Sequence, residues 1–136
     1  MNEISQTGQK KFIQYWIDLY NYTYETGDPH LMQLVSDPQC KFCNDVYAQA
    51  DELFNQKKAW RVGTGTTLNF DKIKVHPEQD GFVPVDVEVH DHEVSYYDDN
   101  GPSTEIPPEK QATTTLRFWI YHRDAYWYMG EVGTVG

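Results

Sequence analysis

The chain changes its hydrophobic period once, near residue 58, and that change limits the fold more than any single motif does. Before it, apolar residues recur every three or four positions, as on one face of a helix; after it they alternate, as on a strand. The first run predicts a helix over residues 10–25, with Phe12, Ile13, Trp16, Leu19, Tyr20 and Thr23 on its inner face. Gly27 is the expected stop, because glycine accepts the left-handed backbone that ends helices. Asp28-Pro29 then restarts a short helix, Asp as cap and Pro in the first turn, with Leu31, Leu34 and Val35 expected inward. Ser36-Asp37-Pro38 repeats the device and opens a third helix over 38–56, whose stripe is Cys43, Val46, Tyr47, Ala50, Leu53 and Phe54.

The second run predicts an antiparallel sheet. Trp60, Val62, Leu68 and Phe70 share one phase and Ile73 and Val75 the other, which places a bulge near Asp71. Val83, Val85, Val87 and Val89 alternate, then the phase flips to Val94 and Tyr96. Asp98-Asp99-Asn100-Gly101 is a hairpin turn signal, and Pro102, Pro107 and Pro108 make the next stretch irregular. A long strand through Leu116, Phe118 and Ile120 turns near Arg123-Asp124 and returns through Trp127 and Met129. Helices first and strands after define an α+β class, with N-terminal helices packed on a strongly curved antiparallel sheet. Such a sheet wraps into a cone with an open mouth. Residues 10–136 are expected to form one domain, with 1–9 as a polar tail.

A formal charge of −10 on 136 residues, with eleven scattered Lys and Arg, argues against nucleic acid, where affinity comes from clustered cations that release counterions. It also disfavours anionic membrane surfaces. No apolar run approaches the roughly 20 residues of a membrane-spanning helix. Four Trp, ten Tyr and six Phe exceed what a core of this size needs. Tyr15, Trp16, Tyr20, Trp119 and Trp127 are therefore candidates to line a pocket in the cone, with Asp18 as a candidate acid–base group beside Tyr22; the competing expectation is plain core packing. Gly63-Thr64-Gly65-Thr66 lacks the Lys and following helix of a phosphate loop, and neither a Gly-x-Ser-x-Gly elbow nor a His-Glu-x-x-His motif occurs.

The two cysteines, Cys40 and Cys43, sit three apart at the start of the third helix. Four readings are open: a local disulfide that staples the first helical turn, an inert reduced pair, a redox couple with a lowered thiol pKa, or half of a zinc site completed by His90 and His92. A thioredoxin-type couple follows a strand, and these cysteines follow a short helix. His90-Asp91-His92-Glu93 is the densest titratable cluster and reads as a solvated strand end or as an acid–base or metal pair. No metal and no cofactor are expected.

Tyr15-Trp16, Asn21-Tyr22, Thr26-Gly27-Asp28, Leu31, Leu34 and Ser36-Asp37-Pro38-x-Cys40-x-x-Cys43 form an ordered set. Together they resemble an uncharacterised domain family of exported lipoproteins from high-GC Gram-positive bacteria. That family looks like a member of the nuclear transport factor 2-like superfamily, whose fold is a cystatin-like cone. The match is specific over residues 10–57; over 58–136 it follows strand order and aromatic placement. The resemblance implies an exported, lipid-anchored domain at the cell envelope, with signal peptide and lipid-bearing cysteine preceding these residues. It carries no assigned activity and so no catalytic residue. The function expected is a non-catalytic domain that binds a protein or a small molecule, as monomer or homodimer. Its competitor is an isomerase- or hydrolase-like enzyme using the cone pocket.

Overall fold

The computed structural model describes residues 4–135; the first three residues of the expected tail lie outside them. The order is α1 (Gln6–Thr26), α2 (His30–Leu34), α3 (Lys41–Asp51) with a π-helical turn over Glu52–Gln56, then β1 (Trp60–Gly63), β2 (Thr66–Val75), β3 (Val83–Asp91), β4 (Val94–Asp98), β5 (Gly101–Pro102), β6 (Ala112–Arg123) and β7 (Tyr126–Thr134). The α+β class holds, with the helices packed on antiparallel strands.

Helix α1 begins four residues earlier than its apolar pattern, because Ser5 caps it by accepting the Gly8 amide, and Gly8 and Gln9 are already buried. Gly27 ends it in the left-handed conformation, its amide donating to the Thr23 carbonyl. In α2 the inner face differs from the expected one: Met32 is fully buried, while Leu31 and Leu34 are 41% and 60% exposed. Five residues form little more than one turn, so a single side chain points inward, here against Thr23. The third helix starts at Lys41 rather than Pro38. Its cap is Cys40, whose sulfur accepts the Cys43 amide at 3.1 Å.

Ser36 and Asp37 are not caps. They form a short parallel bridge to the edge strand β7: the Asp37 amide donates to the Met129 carbonyl, and the Met129 amide to the Val35 carbonyl, both at 2.8 Å. Asp37 also accepts the Tyr121 hydroxyl at 2.9 Å, and Ser36 accepts the indole N–H of fully buried Trp16 at 2.9 Å. The Tyr121 phenol is pushed up to about 12, by burial first and then by Asp37. One residue further along β7 the strand bulges, Trp119 facing Glu131 and Ile120 facing Met129, with Gly130 the extra residue. A Cβ on Gly130 would lie 2.5 Å from the Phe82 ring, so this position has room only for glycine. A bulge re-aims the next side chain. Here the Glu131 carboxylate accepts the first amides of α3, Lys41 at 2.9 Å and Phe42 at 3.0 Å. A carboxylate there meets the positive end of the helix and makes charge-assisted bonds.

Strands β2-β3-β6-β7 form the main sheet and β1-β4-β5 a small one. The two are one long hairpin, broken and bent. Gly63 faces Val94 and Thr66 faces Asp91, so the pairing keeps one register across the gap. Gly63 and Gly65 supply the bend with φ of 139° and 78°. The expected bulge in β2 is present, as a register shift between Asn69 and Lys74. Val85, Val87, Val89, Phe118, Ile120 and Met129 line the inner face against Phe12, Ile13, Trp16 and Ile17. Trp16 meets Tyr20, Phe42 and Phe118 at ring distances of 6.0–6.2 Å, and these rings fill the depth of the cone.

Removing the Glu131 carboxylate exposes how far the helix depends on the sheet. Glu131→Gln keeps an acceptor and is expected to cost about 1 kcal/mol, whereas Glu131→Ala strands the α3 amides and is expected to cost about 2–3 kcal/mol. Urea unfolding of both variants measures the difference.

Candidate functional site

Strand β4 buries Val94 and Tyr96, and cross-strand partners share a face. Their partners in β1 are Gly63 and Arg61. The phase of β1 is therefore the reverse of the expected one: Trp60 and Val62 are 37% and 46% exposed, and Arg61 points inward. Its side chain is only 9% exposed. The guanidinium lies 4.1 Å from the Tyr24 ring centroid, and Nη2 donates to the Tyr96 hydroxyl at 3.2 Å and, loosely, to Glu109 at 3.4 Å. Nε is sealed from solvent with no hydrogen-bond partner. Burial works against the charge, but the Tyr96 hydroxyl bond, with its Tyr20 and Glu109 neighbours, outweighs it, and the pKa lies above the usual guanidinium value.

Arg61 forms part of the wall of a cleft of about 270 Å³ at the cone mouth, bounded also by Tyr20, Tyr24, Thr66, Asp91 and Glu109. Helix α1 holds the rim in place through Asn21, which accepts the Thr66 amide at 2.9 Å and donates to the Thr66 carbonyl at 2.7 Å. The Thr66 hydroxyl donates to Asp91 at 2.7 Å, and the Tyr24 hydroxyl to Gln49 at 2.7 Å. Burial raises the pKa of Tyr20, Tyr24 and Tyr96, so all three phenols stay protonated. The cleft thus presents a buried cation, neutral hydroxyls and two carboxylates.

The residues expected to line one pocket do not converge. Tyr20 lies at the Arg61 cleft. Tyr15 and Trp127 line a separate, apolar recess of about 340 Å³ with Phe12, Leu34 and Tyr126. Trp16 is sealed in the core between the two. Asp18 is exposed, accepts Gln14 at 2.9 Å and lines neither space, so the acid–base arrangement expected around it does not form. Trp119 lies on the outer face of the sheet, in a shallow depression with Phe82, Gly130 and Glu131.

Cys40 and Cys43 form a disulfide, fully buried. Both sulfurs are thereby used, which removes them as zinc ligands, and their burial keeps exchange partners away from the bond. His90 meets Glu88 at 2.9 Å and His92 meets Thr67 at 2.8 Å; among the described residues no group of three potential ligands is arranged for a metal. No helix among them is long and apolar enough to cross a membrane. The outer face carries a second polar cluster that the sequence did not single out. Arg117 makes a two-pronged contact with Asp86 at 2.7 and 3.0 Å, and His76 meets the same carboxylate at 2.8 Å. Arg117 holds the Asp86 carboxyl below its usual range, against a smaller opposing effect of burial.

With this geometry in hand, comparison with known proteins becomes specific. The chain belongs to the family of unknown function DUF6318, whose model matches residues 1–133. No curated protein matches it in sequence. Among solved structures it is similar to the intermembrane space region of the chloroplast protein ARC6, at 15% identity and a TM-score of 0.65, covering 98% of each chain. It is similar also to the beta subunit of the benzoate 1,2-dioxygenase of Burkholderia mallei, at 7% identity and a TM-score of 0.57, covering 99% of this chain and 92% of that one. A third likeness is to an uncharacterised protein with a cystatin-like fold from Caulobacter vibrioides, at 15% identity and a TM-score of 0.52, covering 96% and 91%. At such identities these likenesses establish the cystatin-like, nuclear transport factor 2-like fold alone.

The Asp86 cluster makes a prediction for acid stability. A carboxyl whose folded pKa is depressed adds stability that is complete above its unfolded value of about 4, and that is lost as the pH falls toward the folded value. Asp86→Asn is expected to lower the melting temperature at pH 7 and to flatten its decline between about pH 4 and pH 2. Thermal melts across that range compare the two proteins.

Proposed function

We propose that this chain is a non-catalytic binding domain of the cell envelope, exported and lipid-anchored in a high-GC Gram-positive bacterium, which takes a small molecule at the cone mouth. The observation that carries the binding part is the Arg61 cleft: a buried, loosely paired cation in a polar recess lined by Tyr20 and Tyr24, with Trp16 and Phe42 packed on the Tyr20 ring. That packing keeps the ligand near the rim. The three phenols stay protonated, and Asp91 is already engaged by Thr66. These features favour holding a ligand over transforming it. Export is supported by the buried disulfide, a bond that persists in oxidising compartments, together with the lipoprotein-family resemblance of residues 10–57.

Export is tested by trapping thiols in intact cells of a high-GC Gram-positive host that express the full-length protein. After acid quenching and denaturation of the cells, Cys40 and Cys43 are expected to resist maleimide until a reductant is added, and the protein to fractionate with membranes. Free thiols in the cell would overturn this part. Binding is tested with a metabolite library read by thermal shift. A ligand at a hundred times its Kd should stabilise the protein by about 2.7 kcal/mol. Ala112→Trp, which fills the cleft from an exposed position, should abolish the shift. Chemical conversion of the ligand during incubation would contradict the non-catalytic reading.

A further inference from the structure

The edge of a guanidinium formed by Nε and Nη2 is one that a carboxylate grips with two parallel bonds. In Arg61 that edge is half used. Nη2 is shared between the Tyr96 hydroxyl and Glu109, which it meets at 3.4 Å, and the Glu109 side chain is 59% exposed; among the described residues Nε has no partner. The Tyr24 ring and the Tyr96 hydroxyl support the charge, and the loose, solvent-facing Glu109 contact adds little to them. The Glu109 backbone, in contrast, is held, by reciprocal bonds between Glu109 and Val94 at 3.0 and 3.1 Å. Glu109 is thus a carboxylate on a held backbone with a loosely paired, exposed side chain, able to swing away while the backbone bridge to Val94 stays in place. It stands where an external carboxylate would fit better.

Asp91 also lines the cleft; among the described residues it accepts the Thr66 hydroxyl alone, on one oxygen, and it is otherwise exposed. Arg61 and Asp91 line the same cleft, so cation and anion share one space. The cleft lining balances Arg61 and Lys110 against Asp91 and Glu109, on a chain whose net charge of −10 repels free anions. A ligand of zero net charge, carrying a carboxylate beside an ammonium, meets each of these conditions. A volume of about 270 Å³ has room for those two groups and a side chain, but not for a large ligand.

We propose that the cleft binds a free amino acid, its carboxylate displacing Glu109 from Arg61 and its ammonium turned toward Asp91. This deepens the binding reading above and rests on it. A peptide C-terminus shares the carboxylate but lacks the adjacent ammonium, which separates the two.

The test is titration of ¹⁵N-labelled protein with the free L-amino acids, and with N-acetyl-L-alanine, acetate and methylammonium as partial mimics, read by amide chemical shifts. At least one amino acid is expected to saturate shifts at Gly65, Thr66 and Asp91, with the three mimics at least tenfold weaker. Asp91→Asn should weaken that amino acid about tenfold without affecting acetate. Glu109→Gln should tighten it severalfold, because the internal competitor is neutralised. Arg61→Gln should abolish binding; since Arg61 is buried and this variant can misfold, the two exposed variants decide the matter on their own. No saturating amino acid, or Glu109→Gln binding no better than wild type, overturns the proposal. Acetate or N-acetyl-L-alanine binding as tightly as the amino acid also overturns it, while leaving a small-molecule site at the cone mouth. Ligands of other chemistry displaced by Ala112→Trp would likewise spare the broader reading.

Discussion

The contact on which the rest of the structure depends is the grip of the Glu131 carboxylate on the first amides of α3. It ties the helical layer to the edge of the sheet at the point where a helix most needs an acceptor. The grip requires the bulge at Gly130, and the bulge requires a residue without a side chain, because Phe82 occupies the space. Directly before it, Ser36 and Asp37 bridge to Met129, and Ser36 receives the Trp16 indole. The disulfide between Cys40 and Cys43 then shapes the first turn of the same helix. Four devices on one short segment set the distance between helices and sheet, and with it the depth of the cone.

That depth decides what kind of site the fold can offer. Once α1 and α3 are drawn against the sheet, Trp16, Tyr20, Phe42 and Phe118 meet and fill the interior. What stays open is the rim, where the long hairpin bends at Gly63 and Gly65 and Asn21 holds the bend to α1. The bend turns β1 and β4 over the mouth and carries Arg61 between Tyr24 and Tyr96. The result is a polar recess above an aromatic plug, rather than a deep apolar pocket.

The outer face of the sheet has a different character. Asp86, Arg117 and His76 form a compact polar network there, with the Arg117 guanidinium beside the Trp119 ring. Paired in this way, the charges stabilise the strands that carry them and leave the inner face to the apolar core.

Much of the fold was legible in the amino-acid sequence. Period and turn residues are local, and they located the helices, the stop at Gly27, the β2 bulge, the hairpin at Asp98–Gly101 and the valine face of β3. The cysteine spacing, too, is local enough to suggest a pair that bonds within one turn. The Arg61 cleft was not legible, for a reason that applies to any short strand at a bend. Trp60 and Val62 look like the inner residues of β1 by hydrophobicity, but β4 already commits Val94 and Tyr96 to the inside, and pairing transmits that choice to Arg61. Glu131 escaped notice likewise, since nothing in its neighbours shows that a helix ninety residues earlier in the chain will end at its carboxylate. Sequence alone determined which segments are helix and which are strand, because those preferences are set within a few residues. Only the tertiary structure decided which side of β1 faces inward, and so where the buried charge lies, because register couples residues far apart in the chain.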